Sequence, residues 1–338
     1  MMDRRAFVRT AAAASIAPMM GCDRPTELPP QPWSDAAVRK PDYSAVAVLA
    51  ADAYDERLVD IVRRGVQLAG LDVRGRRVVL KPNFVEFDPD AVINTNPALI
   101  AATLEAFRSM GAADVVVGEG PGHRRDTEYI VTASGLHDAL HETGTRYVDL
   151  NGDAVRSFAS LGQYTGLERL WLPETIVSAD LLVSMPKMKM HHWAGVTLSM
   201  KNLFGIMPGA VYGWPKNLLH VKGIHQSIMD INATLPVPRF NIVDGIIGME
   251  GNGPIQGTAR HSGVLVFGED PVAVDATAAR LMGVEPARVW YILQANRFLG
   301  NMDDARIEQR GEPITRFAQD YEVIDSMQDL RQPIATAG

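Results

Sequence analysis

The sequence predicts an α/β protein, with a mostly parallel sheet carrying helices on both faces and built as a single elaborated domain. Two observations carry that expectation. Short apolar runs of strand length alternate with longer amphipathic stretches, and glycines or a capped proline punctuate the joints between them. The 338 residues are 46% hydrophobic and only 22% charged, so the chain can bury a large core.

The globular part begins near Tyr43. Residues 45–50 read as a strand, 56–68 as an amphipathic helix, 77–80 as a strand, 97–110 as a helix and 114–117 as a buried strand. Gly70, Gly111 and Gly135 fall where helices should stop, and Asn96-Pro97 supplies an N-cap followed by proline at the first helical position. The alternation resumes with strands at 146–149, 181–184, 240–244 and 264–267, and with helices at 196–203, 218–235 and 272–282. Periodicity weakens after Val284, and residues 284–338 are expected to form a polar helical extension.

The N-terminus reads as an export address. A charged start containing Arg4-Arg5 precedes an apolar stretch, 11–20, too short to span a bilayer, and Gly21-Cys22 follows as a small-residue cleavage point. Residues 1–21 resemble a twin-arginine (Tat) signal, with the Tat translocase as partner during export. The stretch 19–22 resembles a lipoprotein box in which Cys22 would be lipidated, giving a periplasmic or membrane-anchored product. Residues 22–42, with five prolines, read as a tether. Membrane association is expected only through that anchor.

Cys22 is the one cysteine of the chain, so thiolate metal sites, iron–sulfur clusters and cysteine nucleophiles are excluded from the folded part. Loss of residues 1–21 removes three arginines and one aspartate and takes the formal charge from −7 to −9. An acidic product of this kind argues against a nucleic-acid partner.

Unusual polar clusters follow directly on the predicted strands: Lys81-Pro82-Asn83, Gly118-Glu119-Gly120, the run from Lys187 to His192, and Asp244-Gly245. In an open α/β sheet, ligands bind beyond the carboxyl ends of the strands. Lys187, Lys189 and Lys201 are expected to converge without matching acids as an anion-binding locus, and close packing there would lower a lysine pKa toward a general-base role. The glycine-rich stretch 248–253 carries Glu250 and Asn252 close to a ligand. Asp270 reads as the N-cap of the following helix and Asp275, one turn in, as a ligand candidate.

Other motifs fail. Gly118-Glu119-Gly120-Pro121-Gly122 lacks dinucleotide-loop spacing and runs into Arg124-Arg125. Ser184-Met185-Pro186-Lys187 closes a strand instead of opening a helix. His191, His192, His220 and His225 show no metal-ligand spacing.

Lys81-Pro82-Asn83, Thr95-Asn96-Pro97, Pro186-Lys187-Met188-Lys189, the run from Lys201 to Gly205, Asp244-Gly245 with the stretch 248–254, and the stretch 270–275 together resemble the DUF362 family, over about residues 46–283. The resemblance places a DUF362-like domain at 43–283. Many relatives carry a cysteine-rich ferredoxin-like module, which this chain lacks.

The reading is an exported enzyme acting on a small anionic substrate, carboxylate or phosphate. Lys81, Lys189, Lys201 and Asn252 would hold it, Asn83 and Asn202 would orient it, and Lys187, Glu119, His191 and Glu250 would carry acid/base chemistry. No cofactor is specified. A divalent cation at Asp244, Glu250 and His191 is the one candidate. The alternative is a non-catalytic periplasmic lipoprotein that binds an anionic ligand or a metal with the same rim.

Overall fold

Along each central strand, alternate side chains enter two separate cores. Val46 and Val48 of β1 (Ser44–Ala50) face one, and Ala47 and Leu49 face the other. The same period-2 division holds for Val79 against Val78 and Leu80 in β2 (Arg77–Pro82), and for Val116 against Val115 and Val117 in β3 (Asp114–Glu119). Strands buried on both faces in this way belong to a sheet sandwiched between layers, as the continuous apolar runs imply.

The computed structural model describes residues 40–122 and 126–331. The Tat-type signal, Cys22, nearly all of the tether and Arg124-Arg125 lie outside the described residues. The remaining strands are β4 (Tyr147–Asp149), β5 (Val155–Ala159), β6 (Arg169–Pro173), β7 (Leu181–Met185), β8 (Lys187–His191), β9 (Gly195–Thr197), β10 (Arg239–Glu250), β11 (Thr258–Gly268) and β12 (Ile307–Gly311). The main sheet runs β12-β1-β11-β10-β7-β2-β3-β4, and β8 joins β10 and carries β9. Strands β2, β3, β4, β7, β8 and β10 pair with one another in parallel, as does β1 with β12. Only the pairs β1–β11, β10–β11 and β8–β9 are antiparallel. A two-stranded β5–β6 hairpin stands apart.

Four helices of eleven or more residues cover the sheet among the described residues. They are α1 (Leu58–Ala69), α2 (Pro97–Ser109), α3 (Ile224–Thr234) and α4 (Pro271–Leu281). The first two pack into one core, the last two into the other. The caps fall where the sequence puts them: Asn96 accepts from Ala98 N, and Asp270 from Val272 N and Ala273 N. Asp270 also accepts from Ser44 Oγ and Asn301 N, tying the start of β1 to α4.

Three expected elements differ. The helix at 196–203 is instead β9, a four-residue helix at Ser199–Asn202 and a 3₁₀ turn at Leu203–Ile206, because Val196 and Thr197 complete a hairpin with β8. The single helix at 218–235 is broken at Gly223, whose φ of 100° no helix allows. In place of a helical extension after Val284, one six-residue helix, several 3₁₀ turns and β12 build onto the domain. Buried Tyr291 and Tyr321 join that segment to the core. No helix among the described residues is long and apolar enough to cross a membrane.

Gly65 of α1 lies against β11, and a Cβ there would stand 2.5 Å from the buried Phe267 ring. Gly65→Val is expected to cost about 1–3 kcal/mol by overpacking, read as a lower midpoint in urea denaturation.

Candidate functional site

The carboxyl ends of β2, β3 and β8 open on one cavity of about 1030 Å³. Lys81, Asn83, Lys189, Lys201, Asn202 and Asn252 all line it, and His191 does too. An irregular stretch, residues 83–96, forms one wall. It is fastened by Thr95, which takes the Asn83 N–H and donates to Met185 O, and by Asn94, which takes the Val85 N–H and donates to Glu86 O.

Lys81 is wholly buried, and its Nζ sits 2.7 Å from Glu119 Oε2 and donates to Asn202 Oδ1 at 2.8 Å. Glu119 also accepts from Phe84 N and Gly120 N. Burial pulls the Lys81 pKa down while Glu119 holds it up. Gly205 lies over this pair, so close that a Cβ would overlap both Glu119 Oε1 and Lys81 Nζ.

The second buried pair is Lys187 with Asp244, at 2.7 Å. Tyr54 donates to Asp244 Oδ1 and Asn96 N donates to Oδ2, while Lys187 Nζ also reaches Tyr54 OH and Ile247 O. Neither member lines the cavity. Lys187 and Glu119, the two residues expected to transfer protons, are thus each held in a buried ion pair, and neither lines the cavity. Glu250 is likewise engaged, accepting from Glu322 N and lying 3.7 Å from Arg260.

Of the lysines expected to cluster without matching acids, Lys187 is paired with Asp244, Lys189 and Lys201 are not, and Lys216 joins them. Lys189, Lys201 and Lys216 have no carboxylate at ion-pair distance among the described residues. Lys189 donates to Ile93 O and Pro254 O, and burial, then Lys201, Lys187 and Lys81, depress its pKa strongly. Lys201 packs its Nζ over the Phe204 ring, and burial followed by repulsion from Lys81 brings its pKa down to about 8.

Lys216 was not singled out by its sequence surroundings. It follows Trp214-Pro215 with φ 69°, an uncommon conformation for a residue with a side chain, and its Nζ donates to Asn151 Oδ1. Its pKa also falls to about 8, first through burial, with Glu119 opposing. The only sequence signal was a lysine placed directly after a Trp-Pro turn.

Two imidazoles on the cavity wall are fixed in opposite tautomers. His191 Nδ1 accepts from Trp193 N at 3.1 Å and from Ala194 N at 3.2 Å, so in the neutral ring the proton sits on Nε2. Burial first, then Lys201, keeps this ring neutral. His191 is thus a hydrogen-bond donor rather than a base, and Nε2 lacks the lone pair a metal would need. His220 is the reverse. Its Nδ1 lies 3.1 Å from Lys216 O, an acceptor only, so Nδ1 carries the proton and Nε2 is left as a lone-pair base. Burial followed by Lys201 lowers the His220 pKa.

The expected cation site at Asp244, Glu250 and His191 is not assembled. Among the described residues no three His, Cys, Asp or Glu side chains come together to hold a metal. Asp275 is also no ligand. It accepts from Ser199 N at 2.7 Å and Met200 N at 3.0 Å, capping the short helix that carries Lys201. Burial raises its pKa to about 7.

Fold and site together define a mixed, mostly parallel α/β protein with a lysine-lined cavity beyond its strand ends. Residues 78–280 match the family model described as a domain of unknown function (DUF362), and the chain belongs to that family. It is 26% identical over 221 residues to the thylakoid-associated protein sll1697 of Synechocystis sp., covering 64% of this chain and 65% of that relative's length. Among solved structures, the lactate racemase apoprotein of Thermoanaerobacterium thermosaccharolyticum is similar, with 18% identity, TM-score 0.39, and 68% and 55% of the two chains covered. A Thermotoga maritima protein matches at 10% identity and TM-score 0.39, over 66% and 57% of the two chains.

Asp244→Asn would leave Lys187 buried without a counter-charge. It is expected to cost about 3–5 kcal/mol in chemical denaturation and to speed hydrogen exchange at the Asn96 amide. Lys201 has a folded pKa near 8 against an ordinary 10.5, so between those values the unfolded chain binds more protons and stability rises with pH. Lys201→Met is accordingly expected to stabilise the protein at pH 7 by roughly 1–3 kcal/mol, with the gain shrinking as pH climbs from about 8 to about 10.5.

Proposed function

We propose that this protein is an enzyme acting on a small anionic substrate held in the lysine-lined cavity. One observation carries the reading: Lys201 and Lys216 face the cavity with pKa values brought down to about 8 and, among the described residues, no carboxylate at ion-pair distance. Amines kept in that state cost stability, and a fold retains them where an incoming anion restores the missing charge. Lys81, Lys189 and Lys216 would bind the anionic group, with Asn202 fixing the Lys81 amine. His191 Nε2–H would donate to the substrate. His220 Nε2, oriented by the bond from Nδ1–H to Lys216 O, and the neutral fraction of Lys201 are the groups placed to accept a proton. The proposal extends to Tat-dependent export and to a lipid anchor at Cys22, supported by the N-terminal sequence alone.

The test needs no known substrate. Trace acetylation of the full chain at pH 8, read by mass spectrometry, is expected to label Lys201 and Lys216 faster than exposed Lys222, and inorganic phosphate should protect both. Equal labelling of all three with no protection by phosphate would remove the proposal's basis.

A further inference from the structure

Two buried oxygens on the cavity wall have no hydrogen-bond partner among the described residues. Asn83 Oδ1 and Thr197 Oγ1 belong to residues only 6% and 3% exposed, and both residues line the cavity. A buried polar atom left unpaired costs about 1–3 kcal/mol, so such atoms call for a partner from outside the chain. Asn83 Oδ1 is an amide oxygen and only accepts, so its partner must present an O–H or N–H, whereas Thr197 Oγ1 can accept or donate.

Each orphan sits beside an amine. Asn83 lies two residues past Lys81 at the end of β2, and Thr197 stands opposite Lys189 in the β8–β9 hairpin. Charge is concentrated around one of these amines, since Lys189, Lys201 and Lys216 all feel repulsion from Lys81. Of these four amines only Lys81 has a carboxylate, that of Glu119, at ion-pair distance among the described residues. The carboxylate of a simple monoacid would leave most of the remainder uncompensated, whereas a compact dianion meets several of these amines at one point.

Resting on the anionic-substrate reading, we infer that the cavity takes a phosphate monoester whose carbon skeleton bears hydroxyl or amino groups. The phosphate lies among Lys81, Lys189, Lys201 and Lys216, and the donors of the skeleton reach Asn83 Oδ1 and Thr197 Oγ1.

Isothermal titration of the full chain at pH 7 with inorganic phosphate, glycerol 3-phosphate, malonate and acetate tests this. Phosphate is expected to bind, glycerol 3-phosphate to bind roughly ten-fold more tightly through its added hydroxyls, and malonate and acetate to bind more weakly than phosphate. Thr197→Val should bring glycerol 3-phosphate down toward phosphate while leaving phosphate unchanged, and Thr197→Ser should restore the difference. Acetate binding as tightly as phosphate overturns the dianion inference, and malonate, itself a dianion at pH 7, binding as tightly overturns the choice of a phosphate over a dicarboxylate; either result leaves the anionic-substrate reading standing. Equal affinity for phosphate and glycerol 3-phosphate, unmoved by Thr197→Val, overturns the hydroxylated skeleton. Failure of all four anions to bind overturns this inference and the anionic-substrate reading together.

Discussion

The buried ion pair between Lys81 and Glu119 is the constraint on which the site depends. An ammonium with no access to water is tolerable only with a close counter-charge and filled hydrogen bonds, and Glu119 and Asn202 supply both. In doing so they lock three chain segments together. Glu119 takes the amides of Phe84 and Gly120, at the ends of β2 and β3, and Asn202 belongs to the helix and turn that bring Gly205 over the pair. Once Lys81 is fixed as a cation there, every further lysine brought to the cavity is repelled by it. That repulsion, added to burial, brings the Lys201 and Lys216 pKa values down to about 8.

β8 shows how one strand divides its work. Met188 and Met190 enter the core while Lys187, Lys189 and His191 alternate with them. Lys187 turns to Asp244 and, with Tyr54 and Asn96, fastens the start of α2 to β10. Lys189 and His191 line the cavity. His191 and His220 then become complementary because their backbone partners differ. Two amides pointing at Nδ1 make the first ring a donor to the cavity, and one carbonyl at Nδ1 makes the second an acceptor.

The strands and long helices were legible because their signals are local. Apolar runs, the Asn96 and Asp270 caps and the glycine stops each act within a few residues. Residues 196–203 carry a helical pattern in the sequence because helical spacing and a tight hairpin followed by a short turn share the same apolar residues, and pairing with β8 decides between them. The segment after Val284 has weak periodicity because its order comes from docking, with β12 laid beside β1 and Tyr291 and Tyr321 entering the core. Within the site, lysines, asparagines and a histidine after strand ends were visible from topology. Their partners were not.

By itself the sequence determined a mostly parallel sheet with lysine-, carboxylate- and imidazole-bearing clusters directly after its strands, because strand and helix periodicity and the punctuation between elements are written residue by residue. Only the tertiary structure decided which amines are paired with a carboxylate and which are not. Glu119 is 38 residues from Lys81, Asp244 is 57 from Lys187, and Lys216 enters from a turn that carries no motif. The charge state of a buried amine depends on dielectric, distance and neighbours in space, and none of these is encoded by position along the chain.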